Sequence, residues 1–247
     1  MDIHLNLAGG ITGDMFIAAL LDAFPHFEDP VISAIDALDA HYPVNCSLIA
    51  HCDSEVAGRR FEIEPFDRYF GYIPFASPVN SQGDSNVFER ETWESVRANL
   101  DAAQVAPGIR SHAIRIFELI ARAHAHNGHD LQKVVFDEVG AWESLAQVIG
   151  AAALIEALGQ VRWSAAYRPR GEITTHAGAA IVDYLCPRAV GSRLPNLSAL
   201  TRTGIGFRSA RKAASGYLRV LCFDEGEAVL AGHPDATRAP KWIAERV

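Results

Sequence analysis

The most regular pattern of apolar positions covers residues 141–158, where hydrophobic side chains recur every three or four residues, the period of a helix. Gly159 follows and is expected to end that helix. Slightly upstream, residues 134–136 form a short apolar run typical of a strand. Asp137 and Glu138 therefore fall where a strand turns toward a helix, a position at which carboxylates either bind a ligand or complement the helix dipole.

Similar patterns predict the other elements. Alternating apolar runs predict strands at residues 2–7, 44–52, 59–63, 161–164 and 216–224. Amphipathic runs predict helices at residues 15–24, 29–41, 89–103, 109–127 and 176–186. Strands and helices that interleave in this way favour an α/β or α+β fold, a layered sheet with helices packed on it.

Local signals refine this pattern. Asp29 and Pro30 are typical of a helix cap followed by a first-turn proline. Ala57 and Gly58 predict the turn of a hairpin, and the TGIGF motif at residues 203–207 predicts a further glycine turn.

The chain divides into four stretches. Residues 1–64 predict an N-terminal α/β part with a glycine loop, and residues 89–224 predict a part with helices and strands. Between them, residues 65–88 are rich in Gly, Pro, Ser and aromatic side chains without a clear period, which predicts a flexible insertion. Residues 225–247 predict a tail.

A glycine-rich loop connects the first predicted strand to the first helix. Gly9, Gly10 and Gly13 allow tight turns or a close approach of backbone to ligand. Thr12 is placed to cap the helix, and Asp14 lies in its first turn, where it either binds a ligand such as a metal or complements the dipole. Such a loop can hold an anion on backbone N–H groups, although the spacing is neither GxGxxG nor a P-loop.

A second candidate anion site lies at the start of a later helix. Thr174 or Thr175 is placed to cap that helix, and Gly178 lies in its first turn. Arg168 and Arg170 precede them, so backbone N–H groups and guanidinium groups together could hold a phosphate.

Histidines cluster at the end of the helix predicted for residues 109–127. His124, His126 and His129 either bind a soft divalent metal or suit the negative end of the helix dipole. His176 is interpreted as a surface residue in the first turn of its helix.

Composition narrows the classes of function. The chain has 247 residues and a net charge of −8, which argues against a nucleic-acid partner held by phosphate contacts. The longest uninterrupted apolar run, residues 148–155, is far shorter than the roughly 20 residues that span a bilayer, and the N-terminus lacks an export signal. Four widely spaced cysteines suit reduced thiols. We therefore expect a cytoplasmic protein with no nucleic-acid or membrane partner.

Five segments, which cover most of residues 1–224, carry a resemblance to a known family. They are GGITGDMFIAALLDAF, IRSHAIRIFELIARAHAHNG, VVFDEVGAWESLAQVIGAA, GEITTHAGAA and TRTGIGFRSARKAASGYLRVL. In this order they resemble the LarC family of nickel insertion proteins.

The resemblance implies a nickel chelatase, a lyase that delivers Ni²⁺ to a pyridinium bis-thiocarboxylate mononucleotide, the precursor of the lactate racemase cofactor, with CTP hydrolysis coupled to insertion. Most members continue into a C-terminal domain that binds Mn²⁺ and CTP, and the chain ends before such a domain. A separately encoded CTP-binding half is therefore an expected partner. We also expect a homo-oligomer.

In this reading, Asp14, Asp137, Glu138 and Glu143 are the candidate metal ligands, with the nearby histidine cluster as an alternative. The family pattern is close to HFHEVGAVDSIVDIVGAA, and here Val135 and Asp137 stand in place of its two histidines. Loss of both imidazoles shifts the expected metal from Ni²⁺ toward harder ions such as Mn²⁺ or Mg²⁺. A second interpretation is therefore a non-catalytic homologue, a scaffold that binds a metal or a nucleotide.

Overall fold

A computed structural model describes residues 1–7, 9–38, 44–53, 56–65, 91–125, 131, 134–136, 142–165, 174–187, 200–208 and 217–223. Within them the strands are β1 (Asp2–Asn6), β2 (Val44–Asp53), β3 (Val56–Pro65), β4 (Glu91–Thr92), β5 (Val135–Phe136), β6 (Arg162–Ala165), β7 (Leu200–Phe207) and β8 (Tyr217–Phe223). The α-helices are α1 (Gly13–Ala23), α2 (Glu28–Asp36), α3 (Trp93–Ala102), α4 (Pro107–His124), α5 (Trp142–Leu158) and α6 (His176–Leu185).

The main sheet is mixed and has the strand order β2-β3-β7-β8-β1-β6. β1 runs parallel to β6 and β3 runs parallel to β7, whereas the other neighbours are antiparallel. β4 and β5 form a separate antiparallel pair. The predicted α/β fold is confirmed, and a single sheet joins strands from the first 65 residues with strands between residues 162 and 223.

Helix α1 is the element at which the sheet and the other helices meet. It packs on β7, β3 and β8, and its opposite side contacts α5. The ring of Phe16 lies against that of Trp163 in β6, with the centroids 6.0 Å apart. Helix α5 also contacts α2 and α4, and residues 145–155 are all buried. A helix enclosed on all sides needs apolar residues around its whole circumference, which explains its composition.

Two predicted boundaries are wrong. A 3₁₀ turn, Pro25–Phe27, leads directly into α2, so the helix begins at Glu28 and Asp29 lies inside its first turn instead of capping it. Ala57 and Gly58 lie inside β3, where they pair with β2, so the hairpin reverses before them.

The predicted glycine turn at the TGIGF motif is also wrong, because the motif lies within β7. Gly204 and Gly206 face α1, and a Cβ at either position would overlap a backbone oxygen, that of Ala19 or that of Met15. These glycines allow α1 to approach the sheet closely, and close approach of another backbone is a known reason for glycine within a strand.

No helix in the part of the chain that the structure describes is both long enough and apolar enough to cross a membrane.

His4, in the middle of β1, is expected to make the protein less stable in mild acid. Its side chain is fully buried, its Nδ1 lies 2.8 Å from the hydroxyl of Ser164, and within the described residues its Nε2 is buried without a hydrogen-bond partner. Burial lowers the pKa of His4 from 6.5 to about 4. Between these values the unfolded chain binds a proton that the folded chain does not, so stability falls as the pH is lowered.

The expected contribution of His4 is a loss of about 2 kcal/mol of unfolding free energy between pH 7 and pH 5. Urea denaturation at a series of pH values measures this loss. In the His4→Leu variant, the fall in unfolding free energy between pH 7 and pH 5 should be smaller by that amount. An unchanged slope in the variant would assign the acid sensitivity to other groups.

Candidate functional site

The glycine loop and the start of α1 form the first side of the site. Gly10 has a φ of 91°, a left-handed conformation that favours glycine, and its N–H donates to the carbonyl of Leu7 at 2.9 Å. Gly9 lies so close to Tyr217 in β8 that a Cβ would overlap the Tyr217 backbone. The hydroxyl of Thr12 accepts the N–H of Met15 at 3.3 Å, which confirms the predicted cap.

The start of α6 lies directly beside this loop. Thr174 forms a parallel bridge with Ile11, and the N–H of Thr175 donates to the Ile11 carbonyl at 3.1 Å. The hydroxyl of Thr175 accepts the N–H of Gly178 at 3.2 Å, so the second predicted cap is also confirmed. A Cβ at Gly178 would lie 2.9 Å from the Cα of Thr12, so the absence of a side chain lets the two helix starts touch.

This contact brings together residues that are more than 160 positions apart in the sequence. The predicted cofactor-binding residues Gly9, Gly10 and Gly13 lie on one side, and Thr174, Thr175 and Gly178 lie on the other. The first N–H groups of a helix have no partner within the helix, and the positive end of its dipole favours anions. Two adjoining helix starts can therefore hold the phosphate of a small ligand.

Helix α5 forms the third side of the site. A Cβ at Gly13 would lie 2.6 Å from the Cβ of Gln147, whose amide nitrogen donates to the carboxylate of Glu143 at 3.4 Å. Asp14 and Gln147 are both buried, whereas Glu143 is partly exposed. The structure thus connects Glu143 to the start of α1, which carries Asp14. Gln147 lies one helical turn beyond Glu143, a spacing in the sequence that is typical of side chains in contact on one helix face.

Two histidine side chains lie close together at the end of α4 and the start of α6. His124 is the last residue of α4 and His176 is the first residue of α6, and their ring centroids are 4.7 Å apart. The ring of His124 also lies edge-on to Phe136 in β5 at 5.9 Å. Because α4 ends at His124, three residues earlier than predicted, this histidine lies at the helix end, whereas His126 and His129 are outside the described residues.

The metal ligands predicted from the sequence fall into two sets. Asp14 and Glu143 are described, whereas Asp137 and Glu138 lie outside the described residues. Among the described side chains, no group of three or more His, Cys, Asp or Glu comes together as a metal site. Their role as ligands stays a prediction.

Comparison with known proteins gives a consistent result. A family model described as "Nickel insertion protein" matches residues 3–171. A relative from Geobacter sulfurreducens, also named for nickel insertion, is 32% identical over 160 residues, which are 64% of this chain and 36% of the relative.

Two further relatives carry the name pyridinium-3,5-bisthiocarboxylic acid mononucleotide nickel insertion protein. The one from Lactiplantibacillus plantarum is 27% identical over 150 residues, 60% of this chain and 35% of its own. The one from Nocardioides sp. is 30% identical over 152 residues, 60% of this chain and 33% of its own. The matched part thus spans about a third of these relatives. No solved structure gives a significant match.

Proposed function

Because the chain belongs to the nickel insertion protein family, we propose that it takes part in inserting nickel into the pyridinium bis-thiocarboxylate mononucleotide for which two of its relatives are named. The observation that carries this proposal is the junction of the α1 and α6 starts through Ile11 and Thr174. The phosphate of the mononucleotide would bind there, against the backbone N–H groups of both helices.

Nickel is the substrate in this reaction, and its ligands must release it. Two or three oxygen or nitrogen ligands leave coordination positions open for the thiocarboxylates of the acceptor, whereas a closed four-ligand site would retain the ion. The proposed oxygen ligands are Asp14 and Glu143, which lie on helices that meet at Gly13. Asp137 and Glu138, which are consecutive in the sequence, are proposed with them.

Three of the four thiols, those of Cys46, Cys186 and Cys222, are poorly suited to this role. Burial raises the pKa of Cys186 to about 11 and that of Cys222 to about 12. Burial, with the nearby Asp36 carboxylate, raises the pKa of Cys46 to about 12. With these raised pKa values the three side chains stay protonated and neutral near pH 7, whereas metal binding requires the thiolate.

We propose a cytoplasmic protein that works with a CTP-binding partner half and forms a homo-oligomer.

The proposal is tested by incubating the purified chain with Ni²⁺ and the pyridinium mononucleotide, with and without CTP, and measuring nickel in the recovered mononucleotide. We expect the chain to bind both nickel and the mononucleotide, and to transfer nickel when the CTP-binding half is supplied. Binding without transfer under every condition would identify a binding module, and failure to bind the mononucleotide would refute the proposal.

Glu138→Gln is expected to weaken nickel binding at least about tenfold, because the amide keeps the shape of the side chain but loses the charge that attracts the cation. Calorimetric titration with Ni²⁺ measures this change. Glu118→Gln is the matched control, since Glu118 lies on the exposed part of α4 and pairs with Arg122. Equal affinities in the two variants would move the metal site away from Glu138.

A further inference from the structure

We propose that His124 and His176 together form a nickel-binding pair, which supplies two nitrogen ligands for the ion. The two residues are 52 positions apart in the sequence, and α4 and α6 bring their rings to a centroid separation of 4.7 Å. Two imidazoles that bind one ion through nitrogens at about 2.0–2.1 Å have ring centres roughly 4.5–5.3 Å apart. The observed separation lies in this range.

The position of the pair connects it to both halves of the proposed site. His176 directly follows Thr175, the cap residue that hydrogen-bonds to the Ile11 carbonyl. Phe136, which packs edge-on against His124, directly precedes Asp137 and Glu138 in the sequence. The imidazoles thus lie between the proposed phosphate site and the strand that leads into the acids.

The chemistry of the pair favours a late divalent transition metal. Imidazole nitrogen is a borderline ligand that binds Ni²⁺ more tightly than Mn²⁺, while Mg²⁺ prefers oxygen. The pair therefore opposes the shift toward harder ions expected from the family histidines that this chain lacks. Two protein nitrogens also leave positions open for an acceptor, as a delivery site requires.

Other histidines of the described chain are less suited to this role. The two ring nitrogens of His112 lie 2.6 Å from the Tyr184 hydroxyl and 3.2 Å from the Glu156 carboxylate. His26 is exposed on the 3₁₀ turn and packs against the ring of Phe27. His26 is therefore a suitable control for the loss of a surface imidazole.

The test is a titration of the whole chain with Ni²⁺ alone, and then with Mn²⁺, in four forms: wild type, His124→Phe, His176→Ala and His26→Ala. Phenylalanine keeps an aromatic ring against Phe136 while it removes the ligand nitrogens. We expect each substitution in the pair to weaken Ni²⁺ binding at least about tenfold and His26→Ala to have no effect. The wild type should bind Ni²⁺ more tightly than Mn²⁺.

X-ray absorption at the nickel edge provides a direct readout of the ligands. The wild type should show two imidazoles, and either substitution should leave one or none. Unchanged affinity in both variants, or an effect from only one of the two, would overturn the proposed pair. Thermal unfolding without metal confirms that each variant is folded.

The use of this nickel for insertion rests on the proposed function, but the two ideas fail differently. If Glu138→Gln abolishes nickel transfer while both histidine variants bind nickel normally, the pair is wrong and the proposed function stands. If the pair binds nickel but the chain neither binds nor loads the mononucleotide, the pair stands and the proposed function is wrong.

Discussion

Gly204→Ala is expected to destabilise the protein by at least about 4 kcal/mol, more than typical overpacking of a core, because the added methyl group meets backbone. A Cβ at this position in β7 would overlap the carbonyl oxygen of Ala19 and would lie 2.9 Å from the backbone nitrogen of Ala23. Neither atom can rotate away as a side chain does. The helix α1 would have to move off the sheet, although its buried face packs on β3, β7 and β8.

Chemical denaturation of Gly204→Ala and of Gly159→Ala distinguishes the cost of atomic overlap from the cost of an unfavourable φ angle. Gly159 has a φ of 65° and no atom within 4 Å of an added Cβ, so its substitution costs only about 1 kcal/mol through strain. If Gly204→Ala were no more destabilising than this control, the close packing of α1 on β7 would be incorrect.

The same glycine shows why some predictions from the sequence are wrong. Gly204 and Gly206 predict a turn because glycine is common in turns, and the local sequence contains no sign of the helix that requires them. The contact is with Met15 and Ala19, about 185 residues earlier in the chain. Properties set by distant neighbours are invisible to a pattern that covers a few residues.

Local signals predict several helix ends correctly, although the Asp29 cap and the turn at Gly58 are wrong. The caps at Thr12 and Thr175 depend on hydrogen bonds to residues three positions ahead, and both are present. Gly159 ends α5 with a left-handed conformation, as its position predicts. Each of these features is determined within one helical turn, where the sequence carries the necessary information.

Some features of the candidate site are predicted by the local sequence, whereas others depend on residues that are distant in the chain. Glycine loops and capping threonines identify two helix starts, but no local pattern shows that Ile11 pairs with Thr174. His176 is interpreted from the sequence as a surface residue, and it is exposed, yet its ring lies beside that of His124. Because β1 runs parallel to its neighbour β6, the carboxyl ends of the two strands lie at the same edge of the sheet, and Ile11 and Thr174 follow these ends in the sequence.

Gly178→Ala is expected to destabilise the protein by at least about 3 kcal/mol and to weaken the mononucleotide binding proposed above, because it separates the two helix starts. Within an isolated helix, alanine is favoured over glycine by about 1 kcal/mol, so propensity alone predicts a more stable protein. The steric cost of the added methyl group opposes this gain and is larger. A Cβ would overlap the carbonyl oxygen of Ile11 and would lie 2.8 Å from its carbonyl carbon, and that oxygen also accepts the hydrogen bond from Thr175.

Gly108→Ala is the matched control, since Gly108 lies in the first turn of α4 and its added Cβ would meet the carboxylate of Glu156. That carboxylate is the end of a flexible side chain and can move, so propensity should dominate and the variant should be as stable as the wild type or more stable. Thermal unfolding and mononucleotide titration of both variants give the comparison. A stable Gly178→Ala protein with unchanged affinity would show that the two helix starts are not held in contact, because alanine can be accommodated there only if α6 is free to move away from Ile11.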